Sequence, residues 1–301
     1  MPIHERDPWR LQYFQQVTCP ADVHVPTDDI DAYRWYPRHR WIYNKLLVAE
    51  SQGLECAPHG VEPGHYPVFS KPTINLQGMG VGSRALHSRR EYLDCEQPGF
   101  LWMTLLEGEH VSSDLAVVGG RVRWCRHTLG LAAPGGTFDY WTVEAGTRPA
   151  LEAYCARWIE ASLPDYTGML NLETIGGRII EGHLRFADQW PDLYGAQWLE
   201  ALVRLYAQGR WEYPDDARRD GYSVVLFGPH ARQYPNPPAE LLAAVRAHAS
   251  VSSLQITFEA DKPAAEHVMP PGGFRLAIIN TWDLAVGREW RRRLASVMIG
   301  A

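Results

Sequence analysis

The segment that decides the fold is Met169-Leu-Asn-Leu-Glu-Thr-Ile-Gly-Gly-Arg-Ile-Ile-Glu-Gly-His-Leu-Arg-Phe186. Polar and apolar residues alternate on both sides of Gly176-Gly177, which is typical of two half-buried strands joined as a hairpin. The outward set is Asn171, Glu173, Glu181, His183 and Arg185. A two-residue turn would put Glu173 and Glu181 on opposite faces. A three-residue loop that includes Arg178, with a bulge, would set the two carboxylates opposite each other.

Facing carboxylates repel each other, so the longer loop predicts a divalent cation between Glu173 and Glu181. Mg²⁺, with phosphate oxygens completing its shell, suits this pair of oxygen donors. The other interpretation is a solvated outer face of a sheet, on which Arg185 supplies the counter-charge. The hairpin by itself leaves both interpretations open.

Lysine is scarce, because only three of the 29 basic residues are lysines: Lys45, Lys71 and Lys262. Lys71 ends a short apolar strand, Pro67-Val-Phe-Ser-Lys-Pro72. A loop with three alternate glycines follows: Gly78, Gly80 and Gly82. Glycine lets backbone N–H groups approach a phosphate, and a lysine adds a compact charge. The spacing is neither that of a P-loop nor of a dinucleotide fingerprint, so a surface loop without function fits this segment too.

The rest of the chain mixes helices and strands. Residues 1–40, rich in Pro, Asp and aromatic residues, predict a loop with at most a short helix or strand. Periodicity and end signals predict helices at 41–52, 88–95, 149–163, 193–208, 239–248 and 283–297. Further strands are predicted at 66–71, 100–106, 111–118, 121–127, 138–143, 222–227, 254–259 and 274–281.

Composition excludes several classes of protein. The net charge of −6 provides no basic field for a nucleic-acid backbone. No apolar stretch approaches the ~20 residues of a membrane span, so no membrane partner is expected. The polar start of the chain, residues 1–7, is not typical of a secretory signal. The five scattered cysteines contain no C-x-x-C pair, which predicts reduced thiols and a cytoplasmic location.

The order of these segments resembles the ATP-grasp superfamily of carboxylate–amine ligases over about residues 41–190. Three motifs carry the resemblance: Pro67–Pro72, Gly108-Glu-His-Val-Ser-Ser-Asp114 and Glu181-Gly-His-Leu-Arg185. The resemblance implies an α+β fold, with an ATP-grasp domain of two sheet-containing lobes and the nucleotide between them. A small C-terminal α/β extension follows. The implied division is an irregular segment 1–40, a first lobe 41–106, a second lobe 107–212 and the extension 213–301.

The resemblance also implies a role for each matching residue. The residues implied to contact ATP are Lys45, Lys71, Gly78, Gly80, Gly82, Met103, Thr104, Leu105, Glu109 and His110. The implied metal ligands are Glu173, Glu181 and His183. Arg185 and Lys71 are the implied catalytic residues, and Arg185 lies near the transferred phosphate.

Two histidines depart from the family pattern. His110 stands where a ribose-binding carboxylate is usual, unless the neighbouring Glu109 replaces it, and His183 stands where an asparagine ligates the metal. Imidazole is a poorer Mg²⁺ ligand than an amide oxygen. Two interpretations of His183 therefore stay open, namely contact with substrate or a preference of the site for Mn²⁺.

The resemblance implies an enzyme that forms a C–N bond. It would use ATP and Mg²⁺ to join small-molecule carboxylate and amine (or thiol) substrates through an acyl-phosphate. One alternative is a phosphotransferase that uses the same ATP site, and another is a nucleotide-binding regulatory protein without turnover. The 12 tryptophans and the two glutamates also suggest a carbohydrate-binding protein or glycosidase.

Overall fold

The computed structural model describes residues 8–15, 17–76, 80, 82–134, 137–230, 232–263, 267 and 273–300. The chain forms two compact units. The central unit comprises Pro26–Cys125 and Arg148–Phe186, and the terminal unit comprises Met1–Val25, Arg126–Thr147 and Ala187–Ala301. The domain boundaries after residues 40, 106 and 212 stay a prediction.

The helices and strands follow the predicted order closely. The helices are α1 (Pro8–Phe14), α2 (Asp29–Trp35), α3 (Lys45–Glu50), α4 (Arg89–Cys95), α5 (Pro149–Ser162), α6 (Trp198–Gln208), α7 (Ala239–Arg246) and α8 (Leu284–Met298). The strands are β1 (Cys56–Pro58), β2 (Val68–Pro72), β3 (Arg84–Leu86), β4 (Phe100–Thr104), β5 (His110–Val118), β6 (Arg121–Ala133), β7 (Thr137–Val143), β8 (Gly168–Ile175), β9 (Arg178–His183), β10 (Gly221–Gly228), β11 (Val251–Ile256) and β12 (Phe274–Thr281).

The helices of the N-terminal half differ most from the sequence-based prediction. The segment 1–40 contains α1 and α2, which lack the length that makes hydrophobic periodicity visible. The predicted helix 41–52 is instead a 3₁₀ turn, Arg40–Tyr43, followed by α3. Asn44 separates the two, because its backbone is extended and its side chain caps α3.

The small sheet of the central unit is antiparallel, with strand order β1-β4-β2-β3. Val68, Leu86 and Trp102 are buried with Tyr92 of α4 on one face. Leu101 and Met103 are buried with Ala49 of α3 on the other. The interior β2 therefore has neighbours on both sides and holds Lys71 in a buried position.

The larger sheet of the central unit has the order β6-β5-β8-β9. Buried side chains of β5, β8 and β9 pack with Cys155, Trp158 and Ile159 of α5 and with Ile42 and Val48. Antiparallel pairing of β5 with β8 sets Ser112 opposite Glu173. This pairing brings the predicted motif 108–114 alongside the hairpin.

The register of the β8–β9 hairpin confirms the predicted facing pair but not its predicted cause. Glu173 lies opposite Glu181. The connection is a two-residue turn, however, because Ile175 lies opposite Arg178. The register shifts between Glu173 and Thr174, where Ile180 is the extra residue of β9. The bulge thus lies inside β9. It places Glu181 opposite Glu173 on the same face of the sheet, whereas the two-residue turn alone would have placed the two side chains on opposite faces.

The terminal unit is built on the strand order β11-β12-β10-β7-β6. Its core lies between these strands and α7 and α8, with buried residues that include Leu226, Val245, Leu254, Leu276, Ile279, Trp290 and Leu294. Strand β10 pairs with β7 as well as with β12, so strands of the predicted extension share a sheet with an earlier strand. Among the residues that the structure describes, no helix has the length and apolar character needed to cross a bilayer.

Candidate functional site

Lys45 is a buried lysine at the first position of α3. Its side chain is only 5% exposed, and its Nζ lies 2.9 Å from Oε1 of Glu181. Asn44 fixes the start of the helix, because its Oδ1 accepts hydrogen bonds from the backbone N–H groups of Leu46 and Leu47. A cation at a helix N-terminus opposes the helix dipole. The ion pair with Glu181 offsets that repulsion and holds the lysine toward the hairpin.

Lys71 is the second buried lysine and is also 5% exposed. Its Nζ donates a hydrogen bond of 2.8 Å to the backbone oxygen of Ile180, and Ile180 is the extra residue at the bulge of β9. Burial and the neighbouring charge of Lys45 lower the pKa of Lys71 to about 8, although Glu181 and Glu173 act in the opposite direction. Lys262, in contrast, is half exposed and pairs with Glu259.

Glu173 lies beside a histidine of β5. Nε2 of His110 is 3.0 Å from Oε2 of Glu173. Burial opposes ionisation of Glu173, but the hydrogen bond and charge of His110, with help from His183 and Lys45, lower its pKa to about 2. The same contact raises the pKa of His110 against the effect of burial.

Glu109 is directed elsewhere. Its Oε2 accepts from Nη1 of Arg148 at 2.8 Å, and its side chain is largely exposed. Successive residues of an extended segment point to opposite faces. The structure therefore brings His110, and not the side chain of Glu109, next to the facing carboxylates.

His183 is buried between the carboxylate pair and an aspartate of α2. Its Nε2 lies 3.9 Å from Oε1 of Glu173 and 3.9 Å from Oε1 of Glu181. On the other side of the ring, Nδ1 lies 3.1 Å from both carboxylate oxygens of Asp29. Burial lowers the pKa of His183, but the charge of Asp29 more than compensates, so the pKa is raised.

Arg185 also meets Asp29. Its Nη2 donates to Oδ2 of Asp29 at 2.8 Å, and its Nη1 donates to the backbone oxygen of Phe186. The hydroxyl of Tyr43 donates to Oδ1 of Asp29 at 3.1 Å. Despite its burial, Asp29 has a lowered pKa because of Arg185 and His183.

These side chains form one charged cluster, which we define by Asp29, Lys45, Lys71, His110, Glu173, Glu181, His183 and Arg185. Three lysine or arginine cations in it face three carboxylates. The formal charges of these six groups therefore balance when Lys71 is protonated, and the raised pKa values of the two histidines shift the cluster toward positive charge. A polyphosphate that bound at the cluster would meet two lysine cations that are already buried beside the hairpin β8–β9.

The fit of a divalent cation to the cluster is partial. Glu173 and Glu181 supply the oxygen donors that Mg²⁺ prefers, and they face each other across the hairpin. His183 is a nitrogen donor whose Nδ1 is engaged by Asp29. No group of three or more His, Cys, Asp or Glu side chains is arranged to hold a metal ion within the described ranges. The two carboxylates thus fit a hard cation, and the three metal ligands stay a prediction.

The predicted nucleotide-binding backbone lies in two places. Met103 lies inside β4, opposite both Cys56 and Phe69, whereas Thr104 and Leu105 mark the end of the strand and are half-buried. Gly80 and Gly82 are exposed and have positive φ angles of 60° and 77°. Gly78 lies outside the described residues. The contacts of these residues with nucleotide stay a prediction.

Asp29 and Tyr43 are members of the site that sequence reasoning missed. Asp29 belongs to a run of acidic residues, Asp28-Asp29-Ile-Asp31, that opens α2. Asp28 caps the helix, since its side chain accepts from the backbone N–H of Asp31. A capping residue followed by acidic residues is a helix-start signal, and it could have located α2. It could not have shown which aspartate is buried.

No protein-family model matches the sequence, and no curated protein matches it. Solved structures do match. An L-amino acid ligase from Bacillus licheniformis has a TM-score of 0.61 at 12% identity, and the match covers 86% of this chain and 71% of that one. N5-carboxyaminoimidazole ribonucleotide synthetase from Thermus thermophilus has a TM-score of 0.60 at 16% identity, covering 96% and 84%.

A third match is carboxyaminoimidazole ribonucleotide synthase from Aspergillus clavatus, solved in complex with ATP. It has a TM-score of 0.59 at 11% identity and covers 86% of this chain and 73% of that one. These proteins are ATP-grasp ligases, and the chain has the ATP-grasp fold. At such low identity the likeness defines the fold alone, so the activity is argued from the charged cluster.

Proposed function

We propose that the protein is an ATP-dependent ligase that joins a carboxylate to an amine through an acyl-phosphate. One observation carries this proposal. Two of the three lysines in the chain are buried in an ATP-grasp fold, one against Glu181 and the other beside it on the Ile180 carbonyl. Burying an amine is unfavourable unless a partner or a ligand requires it. Each of these lysines has a partner, but the two ammonium charges also repel each other, and a nucleotide polyphosphate would neutralise both.

The reaction divides into two balanced steps. In the first, an oxygen of the substrate carboxylate attacks the γ-phosphorus of ATP, which forms the acyl-phosphate and releases ADP. In the second, the nitrogen of a neutral amine attacks the acyl carbon and loses one proton, the acyl C–O bond to phosphate breaks, and an amide and inorganic phosphate form, with the proton on the phosphate. Lys45 and Lys71 neutralise charge on the phosphate oxygens, and Arg185 stabilises charge that develops during transfer.

We expect Lys45 to change partners during binding. In the structure its Nζ contacts Glu181, and transfer of that contact to phosphate would free the carboxylate. Glu173 and Glu181 would then hold a divalent cation, which supplies further neutralisation of phosphate charge. Mg²⁺ suits two carboxylates, and Mn²⁺ becomes competitive if the His183 nitrogen takes part.

The solved relatives support the class of substrate. One was solved with ATP, and the names of the others specify a ligase of L-amino acids and a synthetase of N5-carboxyaminoimidazole ribonucleotide. Small-molecule carboxylates and amines are therefore the first substrates to screen. All five cysteines lie in the described part of the chain and none forms a disulfide, which fits the predicted cytoplasmic location.

A nucleotide-binding protein without turnover is the second candidate. His183 favours it, because an imidazole anchored on Asp29 stands at the position where a metal-binding amide is expected. A glycosidase fits less well. Its acid catalyst needs a carboxyl with a raised pKa, whereas the pKa of Glu173 is about 2 and Glu181 is paired with Lys45.

The proposal is tested by calorimetry with ATP and Mg²⁺, followed by a screen of carboxylate and amine pairs for ADP release. Lys71→Ala should weaken ATP binding by roughly 100-fold, since a buried charged hydrogen bond is lost. Lys262→Ala is the matched control and should bind like the wild type, because Lys262 pairs with Glu259 at the surface.

Failure of the wild-type protein to bind ATP, ADP or GTP would overturn the assignment. Equal affinity of wild type and Lys71→Ala would remove the phosphate role of Lys71. Release of phosphate only when an amine is present distinguishes a ligase from a phosphotransferase. ATP binding without ADP release for any substrate pair would favour the second candidate.

A further inference from the structure

Asp29 joins the two site residues whose positions are most unusual. It is 6% exposed and accepts hydrogen bonds from three side chains, those of Tyr43, His183 and Arg185. Arg185 is the proposed catalytic residue, and His183 occupies the position of a metal ligand. The aspartate therefore contacts both residues, and on His183 it lies on the side of the ring away from the Glu173–Glu181 pair.

The contacts of Asp29 restrict both of its larger partners. The carboxylate of Asp29 contacts Nδ1 of His183. The other ring nitrogen, Nε2, lies 3.9 Å from an oxygen of Glu173 and 3.9 Å from an oxygen of Glu181. On Arg185, the carboxylate meets Nη2, while the Phe186 carbonyl meets Nη1. A side chain held at two points loses most of its rotamer freedom, so the cost of ordering it is met before a ligand arrives.

The Tyr43 contact holds the aspartate in turn. The Tyr43 hydroxyl donates to Oδ1 of Asp29 and accepts from the backbone N–H of Leu184. Leu184 lies between His183 and Arg185 in sequence, so the link ties Asp29 to the same strand end as its partners. The arrangement is a closed ring of contacts and not a single ion pair.

We propose that Asp29 is a positioning residue that fixes the imidazole of His183 and the guanidinium of Arg185 as one unit toward the terminal phosphate of a bound nucleotide. This inference rests on the proposed function for its ligand, and its physical part concerns the protein alone. The proposal gives α2 a role in the site, although the sequence analysis placed these residues in an irregular segment.

Asp31 provides a matched control. It lies in the first turn of α2 as Asp29 does, has the same 6% exposure, and has Arg34 as an ion-pair neighbour at 4.0 Å. Both aspartates lie in the first turn, where a carboxylate interacts favourably with the helix dipole, so replacement of either removes a contribution of this kind to helix stability. They differ in which side chains they contact.

The first measurement is an NMR experiment on protein labelled with ¹⁵N-histidine, without nucleotide. A hydrogen-bonded, slowly exchanging Nδ1–H of His183 is expected in the wild type and in Asp31→Ala, and its absence from His183→Gln assigns it. Asp29→Ala should lose the signal. Retention of the signal in Asp29→Ala would overturn the proposal.

The second measurement compares affinities for ATP and ADP with Mg²⁺. Asp29→Ala should weaken ATP binding roughly 10-fold more than ADP binding, the size of effect seen when the partner behind a functional histidine is removed. An equal loss for both nucleotides would indicate a merely structural role and overturn the proposal. Asp31→Ala should leave the ratio of the two affinities unchanged.

Two further points keep the test decisive. If Asp29→Ala does not fold, Asp29→Asn retains the shape of the side chain, and the same larger loss of ATP affinity than of ADP affinity is expected with a smaller amplitude. If the wild type binds neither nucleotide, the proposed function fails. The NMR measurement still decides whether Asp29 orients His183.

Discussion

At the scale of single residues, the site consists of charges that are buried because each has a partner. The scarcity of lysine drew attention to all three lysines, and the family resemblance selected Lys45 and Lys71. Both of these are buried, and their contact with phosphate stays a prediction. Asp29 escaped prediction because burial of a carboxylate depends on side chains about 150 positions away, as its contact with Arg185 illustrates. The sequence predicts which residue types are available, but tertiary structure decides which of them meet.

Glu181 illustrates how a partner reverses an expectation. Repulsion between facing carboxylates predicts that neutralising one of them stabilises the metal-free protein. In the structure, however, Glu181 is the partner of the buried Lys45. Glu181→Gln should therefore lower the free energy of unfolding by about 1–3 kcal/mol, because a buried ammonium loses its counter-ion.

Urea unfolding followed by tryptophan fluorescence measures this effect. Glu160→Gln is the control, since Glu160 is an exposed residue of α5 in the same unit, and it should change stability by less than about 0.5 kcal/mol. An unchanged or raised stability of Glu181→Gln would mean that repulsion from Glu173 outweighs the ion pair.

The lowered pKa of Lys71 predicts a pH dependence of nucleotide binding. With a pKa of about 8, Lys71 in the free protein loses its proton as the pH rises through that value. ATP affinity should therefore fall between about pH 7 and about pH 9, where an ordinary lysine stays charged. Lys71→Arg should bind ATP more weakly at the lower pH but lose less affinity over the same range, because guanidinium stays protonated.

Isothermal titration calorimetry at several pH values tests this prediction. His110 and His183 remain in the variant, so their titration contributes to both proteins and cancels in the comparison. Parallel pH profiles for the two proteins would contradict a titrating Lys71.

At the scale of elements, the hairpin β8–β9 determines the geometry of the site. Alternation predicted its two strands, and the Gly-Gly pair predicted the place of its turn, although the three-residue loop that was expected to make the glutamates face each other is a two-residue turn. The bulge at Ile180 was beyond prediction, since an extra residue in a strand and an extra residue in a turn give the same sequence. The difference matters, because the bulged position supplies the carbonyl that Lys71 contacts.

The turn itself gives a matched pair of glycines. Gly176 and Gly177 both have positive φ angles, 55° and 76°. A Cβ at Gly176 would lie 2.3 Å from the backbone oxygen of Glu107, whereas a Cβ at Gly177 would meet no atom within 4 Å. Gly177→Ala should cost about 1–2 kcal/mol from its backbone conformation. Gly176→Ala should cost at least about 1 kcal/mol more, because the 107–109 segment must move.

Thermal and urea unfolding of the two variants provide the comparison. Since the displaced segment leads directly into His110, Gly176→Ala should also weaken ATP binding more than Gly177→Ala does. Equal stabilities would show that the loop before β5 yields without cost.

At the scale of the whole molecule, the order of the motifs in the sequence predicted the ATP-grasp fold, and the structure has that fold. Each of these motifs supplies residues to one binding site, and the fold brings those residues together. The grouping of strands into units was harder to foresee. Strand β10 joins β7 through pairs such as Ser223 with Trp141, and long-range strand pairing leaves little trace in local sequence.

Nucleotide binding should stabilise the molecule as a whole. A ligand that binds only the folded state at 100 times its dissociation constant adds about 2.7 kcal/mol to the free energy of unfolding. ATP with Mg²⁺ should therefore raise the melting temperature of the wild type, and Lys71→Ala should show little rise at the same concentration. Differential scanning calorimetry measures both. A rise of the same size in both proteins would indicate that nucleotide binds elsewhere.

The interleaving of the two units has a consequence for the order of events on the ribosome. The central unit consists of Pro26–Cys125 and Arg148–Phe186, so all of its residues have been synthesised once Phe186 has been added. The terminal unit includes residues that are translated earlier, but at that moment its strands β10, β11 and β12 have not yet been synthesised. Domains generally fold as soon as their residues have emerged. The unit that carries the charged cluster is thus the first that can fold completely. Strand β7 of the terminal unit cannot pair with β10 until β10 has been translated.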